Sequence, residues 1–352
     1  MAYTTIDDPS EYYTTTLYTG NGSDAHSITN SANSGNFKPD WLWTKNRTGT
    51  ARNNSIFDSS RGVQKYLYTN QTDAEATASV SLQSFDTNGF TVGTSTQVNP
   101  NGNSMVSWSW KCNGGAATAT ISESGNNPAA VVQANATAGF SIISYTGTGS
   151  SGTIAHGLGA IPKMYIVKNR DSTSNFEVFT SVITSGENSV LRIDNTDAKA
   201  DSGVTLPTST NITVTSGVNQ NQDGQKYIMY CFKSIQGYSK MGSYVGNGNA
   251  NGAFVHLGFK PAWVMLKRTD SAASWLIFDN KRDIDNVVSH RVYANATDAE
   301  DSDTGSAIDF LSNGFKCRSS DSSTNTSSGT YIYMAFAENP FVSSEGVPTT
   351  AR

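Results

Sequence analysis

The sequence predicts an all-β protein made of three tandem antiparallel β-sandwiches of jelly-roll or lectin-like type. Three observations lead there. The first is composition: 46 Ser, 40 Thr, 32 Asn and 31 Gly stand beside only 15% charged residues, and these four types are poor in helix interiors. The second is turn chemistry. Asn88-Gly89, Asn101-Gly102, Asp223-Gly224 and Asn313-Gly314 suit tight hairpins, because both central positions tolerate positive φ. The third is internal repetition at a spacing near the size of a small all-β domain.

The repeats are read off ordered anchors. The first is Tyr18-Thr-Gly-Asn-Gly, Tyr145-Thr-Gly-Thr-Gly and Tyr244-Val-Gly-Asn-Gly. The second runs Phe37-Lys-Pro-Asp-Trp-Leu-Trp-Thr-Lys-Asn-Arg47, Ala160-Ile-Pro-Lys-Met-Tyr-Ile-Val-Lys-Asn-Arg170 and Phe259-Lys-Pro-Ala-Trp-Val-Met-Leu-Lys-Arg268. Each proline precedes a strand, where a missing N–H removes no ladder bond. Copies one and three also share Ile-Phe-Asp-x-x-Arg (56–61 and 277–282), Asn-x-Thr-Asp-Ala-Glu (70–75 and 295–300) and an Asn-Gly-Phe turn. Each copy ends on an aromatic strand: Met105–Trp110, Tyr227–Phe232 and Tyr331–Phe336. The expected organisation is an N-terminal docking arm (1–16), repeat 1 (17–112), a linker (113–138), repeat 2 (139–236), repeat 3 (237–341) and a C-terminal tail (342–352).

Period-two alternation sets Trp41, Trp43 and Lys45 on one strand face, with Leu42 and Thr44 on the other. Both faces of Tyr331–Phe336 are apolar, which reads as a central strand. Trp108 and Trp110 have core spacing.

Several function classes lose ground. A net charge of −5 and a pI near 5.4 disfavour nucleic-acid binding. No apolar run nears the length of a membrane span, so no membrane insertion is expected. The first residues lack a basic and then apolar leader pattern. Cys112, Cys231 and Cys317 are widely spaced and read as reduced core residues.

At Tyr3-Thr-Thr-Ile-Asp-Asp-Pro-Ser10, Lys38–Arg47, Phe57-Asp-Ser-Ser-Arg-Gly-Val-Gln-Lys-Tyr-Leu67, Ser107–Lys111 and Ala335–Phe341, the chain resembles a family of virion structural proteins. These proteins are encoded by tailed phages of marine bacteria, including cyanophages. The resemblance covers nearly the whole chain. It implies a non-enzymatic, tail-fibre-like or receptor-binding component of the virion, assembled in the host cytoplasm as a homo-oligomer. Its partners would be other virion proteins and host-surface polysaccharide. The alternatives are a capsid or tail decoration protein and, further off, a polysaccharide-degrading enzyme. The resemblance brings no catalytic residues.

The chemistry in the sequence is sparse. No catalytic residue or cofactor is expected. Trp41, Trp43 and Trp263 are the candidates for ligand or partner contact, since aromatic faces stack on sugars. The acidic stretch Asp298, Glu300, Asp301 and Asp303 is a weak Ca²⁺ candidate, against a solvated loop or a turn that every copy needs. His156 and His256 precede equivalent prolines, so they read as a repeated turn position rather than a paired base. Gly246-Asn-Gly248 lacks the following helix of a phosphate loop. Asp58 with Arg61, and Asp279 with Arg282, read as structural ion pairs.

Overall fold

The computed structural model describes residues 2–183 and 188–349, so Met1 of the expected arm, 184–187 of the second repeat and 350–352 of the expected tail lie outside the described residues. The fold is all-β and antiparallel. Each unit has a large sheet whose centre is the aromatic closing strand. That strand pairs on one side with the first-anchor strand and on the other with the second-anchor strand. In unit 1, Ser104–Trp110 lies between Tyr13–Thr19 and Trp41–Asn46. In unit 2, Lys226–Phe232 lies between Phe140–Thr146 and Met164–Asn169. In unit 3, Thr330–Pro340 lies between Ser239–Val245 and Phe259–Arg268. The central position expected for the third closing strand is therefore common to all three.

A smaller sheet covers one face of each large sheet. It is His26–Thr29, Gly89–Val92 and Leu82–Asp86 in unit 1. It is Gly152–Ala155 with Asn211–Val214 in unit 2, and Phe254–His256, Gly314–Cys317 and Ile308–Leu311 in unit 3. Leu42, Phe57, Phe90 and Val92 build the first of these cores. Tyr145, Tyr165, Ile212 and Val214 contribute to the second, and Val264, Leu266, Phe310 and Phe315 to the third.

The opposite face of each large sheet is not solvated. All three meet in one central cluster that includes Trp41, Trp43, Trp108 and Trp110 of unit 1, Met164, Ile166, Tyr230 and Phe232 of unit 2, and Trp263, Met265, Met334 and Phe336 of unit 3. Trp41–Asn46 is consequently buried at every position. The units share a core and are not independent beads on a chain.

That shared core revises the boundaries. Residues 113–138 are not a free linker. They contain the strands Ala119–Ile121 and Ala130–Asn135, which extend the second large sheet beyond Phe140–Thr146 to make it eight-stranded. Ala130 and Val132 are buried in that unit's core, and the Gly and Asn punctuation on either side hides the short apolar alternation. The arm is likewise no free arm. Ile6 and Tyr13 are in the central cluster, Thr4 Oγ1 donates to Gln236 O at 2.8 Å and Tyr3 Oη to Gly258 O at 2.7 Å. The tail folds back through a Val342–Pro348 bridge, and Ser344 N donates to Asp7 Oδ1 at 2.6 Å.

Candidate functional site

The Tyr-x-Gly-x-Gly anchor is a structural turn. Tyr18, Tyr145 and Tyr244 donate their hydroxyls to the carbonyls of Val98, Gln220 and Thr324 at 2.7, 2.5 and 2.6 Å. The residue after each carbonyl is a fully buried asparagine: Asn99, Asn221 or Asn325. Its side-chain oxygen accepts the N–H of Asn21, Thr148 or Asn247 at 2.8–3.0 Å, and its amide donates back into the same turn. The first glycine is required by close approach. A Cβ at Gly20, Gly147 or Gly246 would lie 2.1–2.2 Å from the carbonyl oxygen of Pro100, Gln222 or Thr326. These asparagines went unremarked in the sequence, although each stands six residues before Met105, Tyr227 or Tyr331.

The three units close into a ring by equivalent contacts. Arg52 N, Ser174 N and Ala273 N donate to Thr297 O, Thr72 O and Thr196 O of the neighbouring unit at 2.9–3.0 Å. In return, Glu300 N, Glu75 N and Lys199 N donate to Arg47 O, Arg170 O and Thr269 O at 2.8–3.0 Å. The Thr-Asp-Ala segment is thus the clasp of each junction. One buried lysine per unit reinforces it. Lys45 Nζ donates to Arg52 O and Ala296 O, Lys168 Nζ to Thr72 O and Ser174 O, and Lys267 Nζ to Thr196 O and Ala273 O, all at 2.6–3.2 Å. Burial pulls all three ammonium groups down to about 8, and nearby carboxylates offset part of the effect.

Side chains complete two of the junctions. Arg170 holds Glu75 through two bonds of 2.9 Å, and Arg47 holds Glu300 through bonds of 2.9 and 2.8 Å. Behind them the expected structural pairs are present and buried: Arg61 on Asp58, and Arg282 on Asp279. Each pair also reaches the neighbouring unit. Asp58 accepts from Tyr230 Oη at 2.7 Å and Asp279 from Trp108 Nε1 at 3.0 Å. Burial would raise the Glu75 carboxyl, but Arg170 and Arg61 more than offset this and hold it below its ordinary value. At the junction of units 2 and 3 the corresponding residues are Thr180, Ile183 and Met334, with Lys199 and Thr269 in place of the Glu and Arg. Ile183 and Met334 pack on or in the central cluster, so apolar contact replaces the buried charged pair at this junction.

Two candidate sites are corrected. Trp41, Trp43 and Trp263 are 1%, 0% and 0% exposed. They lie in the shared core because the large sheets bury both faces, and they offer no ring to a ligand. The acidic stretch is arginine counter-charge. Glu300 is taken by Arg47 and Arg282, and Asp301 and Asp303 by Arg291. Asp298 stands in the clasp near Lys45. Among the described residues no group of three or more His, Cys, Asp or Glu side chains is placed to hold a metal ion.

The other chemistry-bearing groups are also engaged in structure. His156 is buried just past its strand, bonded to Leu158 N and Thr208 O, whereas His256 sits exposed at the end of its strand, so the two do not share one environment. The three cysteines are buried and free. Burial raises the carboxyls of Glu177 and Asp194 in unit 2. Asp194 Oδ1 accepts Phe176 N at 2.7 Å, as Asn70 and Asn295 accept Asn54 N and Trp275 N at 2.8 Å, so it serves a fold position present in every unit.

Two adjoining cavities of about 230 and 190 Å³ lie at the junction of units 3 and 1, sharing Asn280, Lys281 and Glu338 as walls. A shallower one of about 260 Å³ lies on unit 2 beside Thr120, Tyr145 and Arg170. Among the described residues no helix is long and apolar enough to cross a membrane. A search of curated proteins found no match. A family model described as a domain of unknown function, DUF7483, matches residues 8–340 and so spans all three units as one domain; the chain belongs to that family.

Proposed function

We propose that this chain is a non-enzymatic structural protein of a tailed-phage particle, carried on a fibre or the tail and contacting host-surface glycans. The observation that carries the reading is where the repeated motifs go. The Tyr-x-Gly-x-Gly turns fix each unit internally, and the Thr-Asp-Ala clasps, the buried lysines and the Asp–Arg pairs join the units into one ring. Such a body suits a part that must hold its shape while displaying loops. The sequence resemblance to phage virion proteins supplies the particle. Residues 3–7 pack against residue 258 of unit 3 and residue 344 of the tail, with Asp7 bonded to Ser344 and Tyr3 to Gly258, so the first residues are part of the same body.

The runner-up is a capsid or tail decoration protein, for which the same rigidity serves. A cryo-EM map of the virion tests both. Density for the ring on the tail or a fibre supports the proposal, density on the capsid lattice supports the decoration reading, and a particle without the chain sinks both. Incubation of the purified chain with host polysaccharide should leave its chain length unchanged; shortening would favour the enzyme reading.

A further inference from the structure

The ring departs from its threefold pattern differently at each junction, and at that of units 3 and 1 several departures meet. At the junction of units 1 and 2, the space beside the first-anchor strand is filled. Gln133 pairs with Ile142 across the strands. Its amide donates to Ser59 Oγ and Ser60 Oγ at 3.0 and 2.9 Å, and its oxygen accepts Asn113 N and Gly115 N at 3.0 and 2.8 Å. The equivalent space between units 3 and 1 is the cavity of about 230 Å³. Thr15 stands there for Ile142, Asn280 for Ser59 and Lys281 for Ser60, and unit 1, like unit 3, has no counterpart of the strand that carries Gln133.

Two loops that are longer here than elsewhere frame this opening. Residues 30–38 of unit 1 correspond to 156–161 and 257–260, and they bring Ser31 and Asn33 to the rim. Residues 280–289 of unit 3 correspond to 59–64 and form the adjoining cavity of about 190 Å³. Asn280 Oδ1 is buried and has no hydrogen-bond partner among the described residues, whereas Ser59 in the filled junction is bonded to Gln133. A buried acceptor without a partner is costly unless a ligand or water meets it.

We propose that this double cavity is a binding groove for a neutral, hydroxyl- and amide-rich oligosaccharide. The identification rests on the glycan-contacting function proposed above and names where the contact is made. The filled junction displays the chemistry that fits: an uncharged amide held by hydroxyls and backbone amides. In the open one, Ser10, Thr14, Ser31, Asn33 and Asn280 offer the same mixture of donors and acceptors. The Glu338 carboxylate on the wall is paired, with Lys260 Nζ 2.6 Å from Glu338 Oε2, so the groove does not demand a cation. Each cavity is smaller than the roughly 300–1,000 Å³ of a drug-sized pocket and is sized for one ring of a chain. A full added strand is blocked, because Ser31 Oγ already donates to Thr15 O at 3.2 Å.

The test uses the full chain and saturation-transfer NMR with chitotetraose, maltotetraose, cellotetraose and mannotetraose at millimolar concentration. Inorganic phosphate and a Gly-Gln-Gly peptide serve as the competing chemistries. At least one tetrasaccharide should bind. Asn33→Trp, which fills the rim, and Lys281→Ala should each weaken it tenfold or more, while Thr120→Trp in the unit 2 cavity should not. Asn33 and Lys281 are exposed, so both variants should melt with the wild type. Binding unchanged in both groove variants, preference for phosphate or the peptide, or no bound tetrasaccharide overturns the groove. The virion map is independent of that result: a chain found on the particle without sugar binding would leave the structural role standing while the groove falls.

Discussion

Removing Trp41 asks whether the three units unfold as one body. Its ring packs 4.5 Å from that of Trp110 in its own unit and 4.8, 5.7 and 5.9 Å from those of Tyr230, Phe232 and Phe140 in unit 2. A fully buried Trp→Ala change costs about 3–5 kcal/mol. The effect on melting depends on the size of the cooperative unit. At about 2.1 cal/mol/K per residue, the entropy of unfolding is about 0.7 kcal/mol/K for the whole chain and about 0.2 for a single repeat. The shared core therefore predicts that Trp41→Ala lowers one calorimetric transition by about 4–7 °C. Independent units would give a split trace, with one transition falling by about 15–25 °C and the others staying in place. An unshifted second transition, or a van't Hoff enthalpy about a third of the calorimetric one, would refute the shared core.

Three further outcomes follow, two from the junctions and one from the turn clamp. Thr269→Arg combined with Lys199→Glu should recreate at the third junction the pair found at the other two; denaturant melts should show the double variant more stable than the sum of its single changes by about 0.5–3 kcal/mol. Lys168→Met should lose ground to the wild type as pH rises from 8 to about 10.4. The folded-state pKa near 8 lies below the unfolded value, so the unfolded chain binds the extra proton in that window, and the wild type gains up to about 1.4 kcal/mol per pH unit relative to the variant; parallel stability curves would contradict this. Asn221→Ala removes the turn clamp and leaves the half-buried Thr148 N–H and Ser150 carbonyl without it, for a loss of about 1–3 kcal/mol in chemical unfolding, each lost hydrogen bond contributing about 0.5–1.5.

Much of one unit was legible because its constraints are local. Tyr18 and Gly20 mark a turn, Pro39 marks a strand start, and Asp58 with Arg61 marks a pair three residues apart, all readable from spacing. The contacts between units were not, because period two says that a face is apolar without saying what covers it. Trp41 and Trp43 therefore looked available to a ligand when they were covered by another unit. Lys45 carried a usable signal. A lysine repeated on the same face as tryptophans, in a chain with few charges, is a candidate for burial with backbone partners. The strand Ala130–Asn135 was missed because it has no counterpart in the other copies, so repetition could not reveal it.

Fusing three copies into one chain frees each junction to change alone, which a ring of identical subunits cannot do, since one substitution there alters every junction at once. The three junctions here have taken different courses. Between units 1 and 2 the space is closed by Gln133 and the segment that follows Cys112. Between units 2 and 3 the charged pairs have given way to Ile183 and Met334. Between units 3 and 1 the charged pairs remain, and two lengthened loops stand around an open cavity. Stability needs the first two kinds of change or neither; it gives no reason for the third, because an unfilled polar space beside a buried, unpaired Asn280 oxygen weakens the ring. A feature that costs stability and is assembled from two separate loops calls for an explanation outside folding, and binding at that junction provides one.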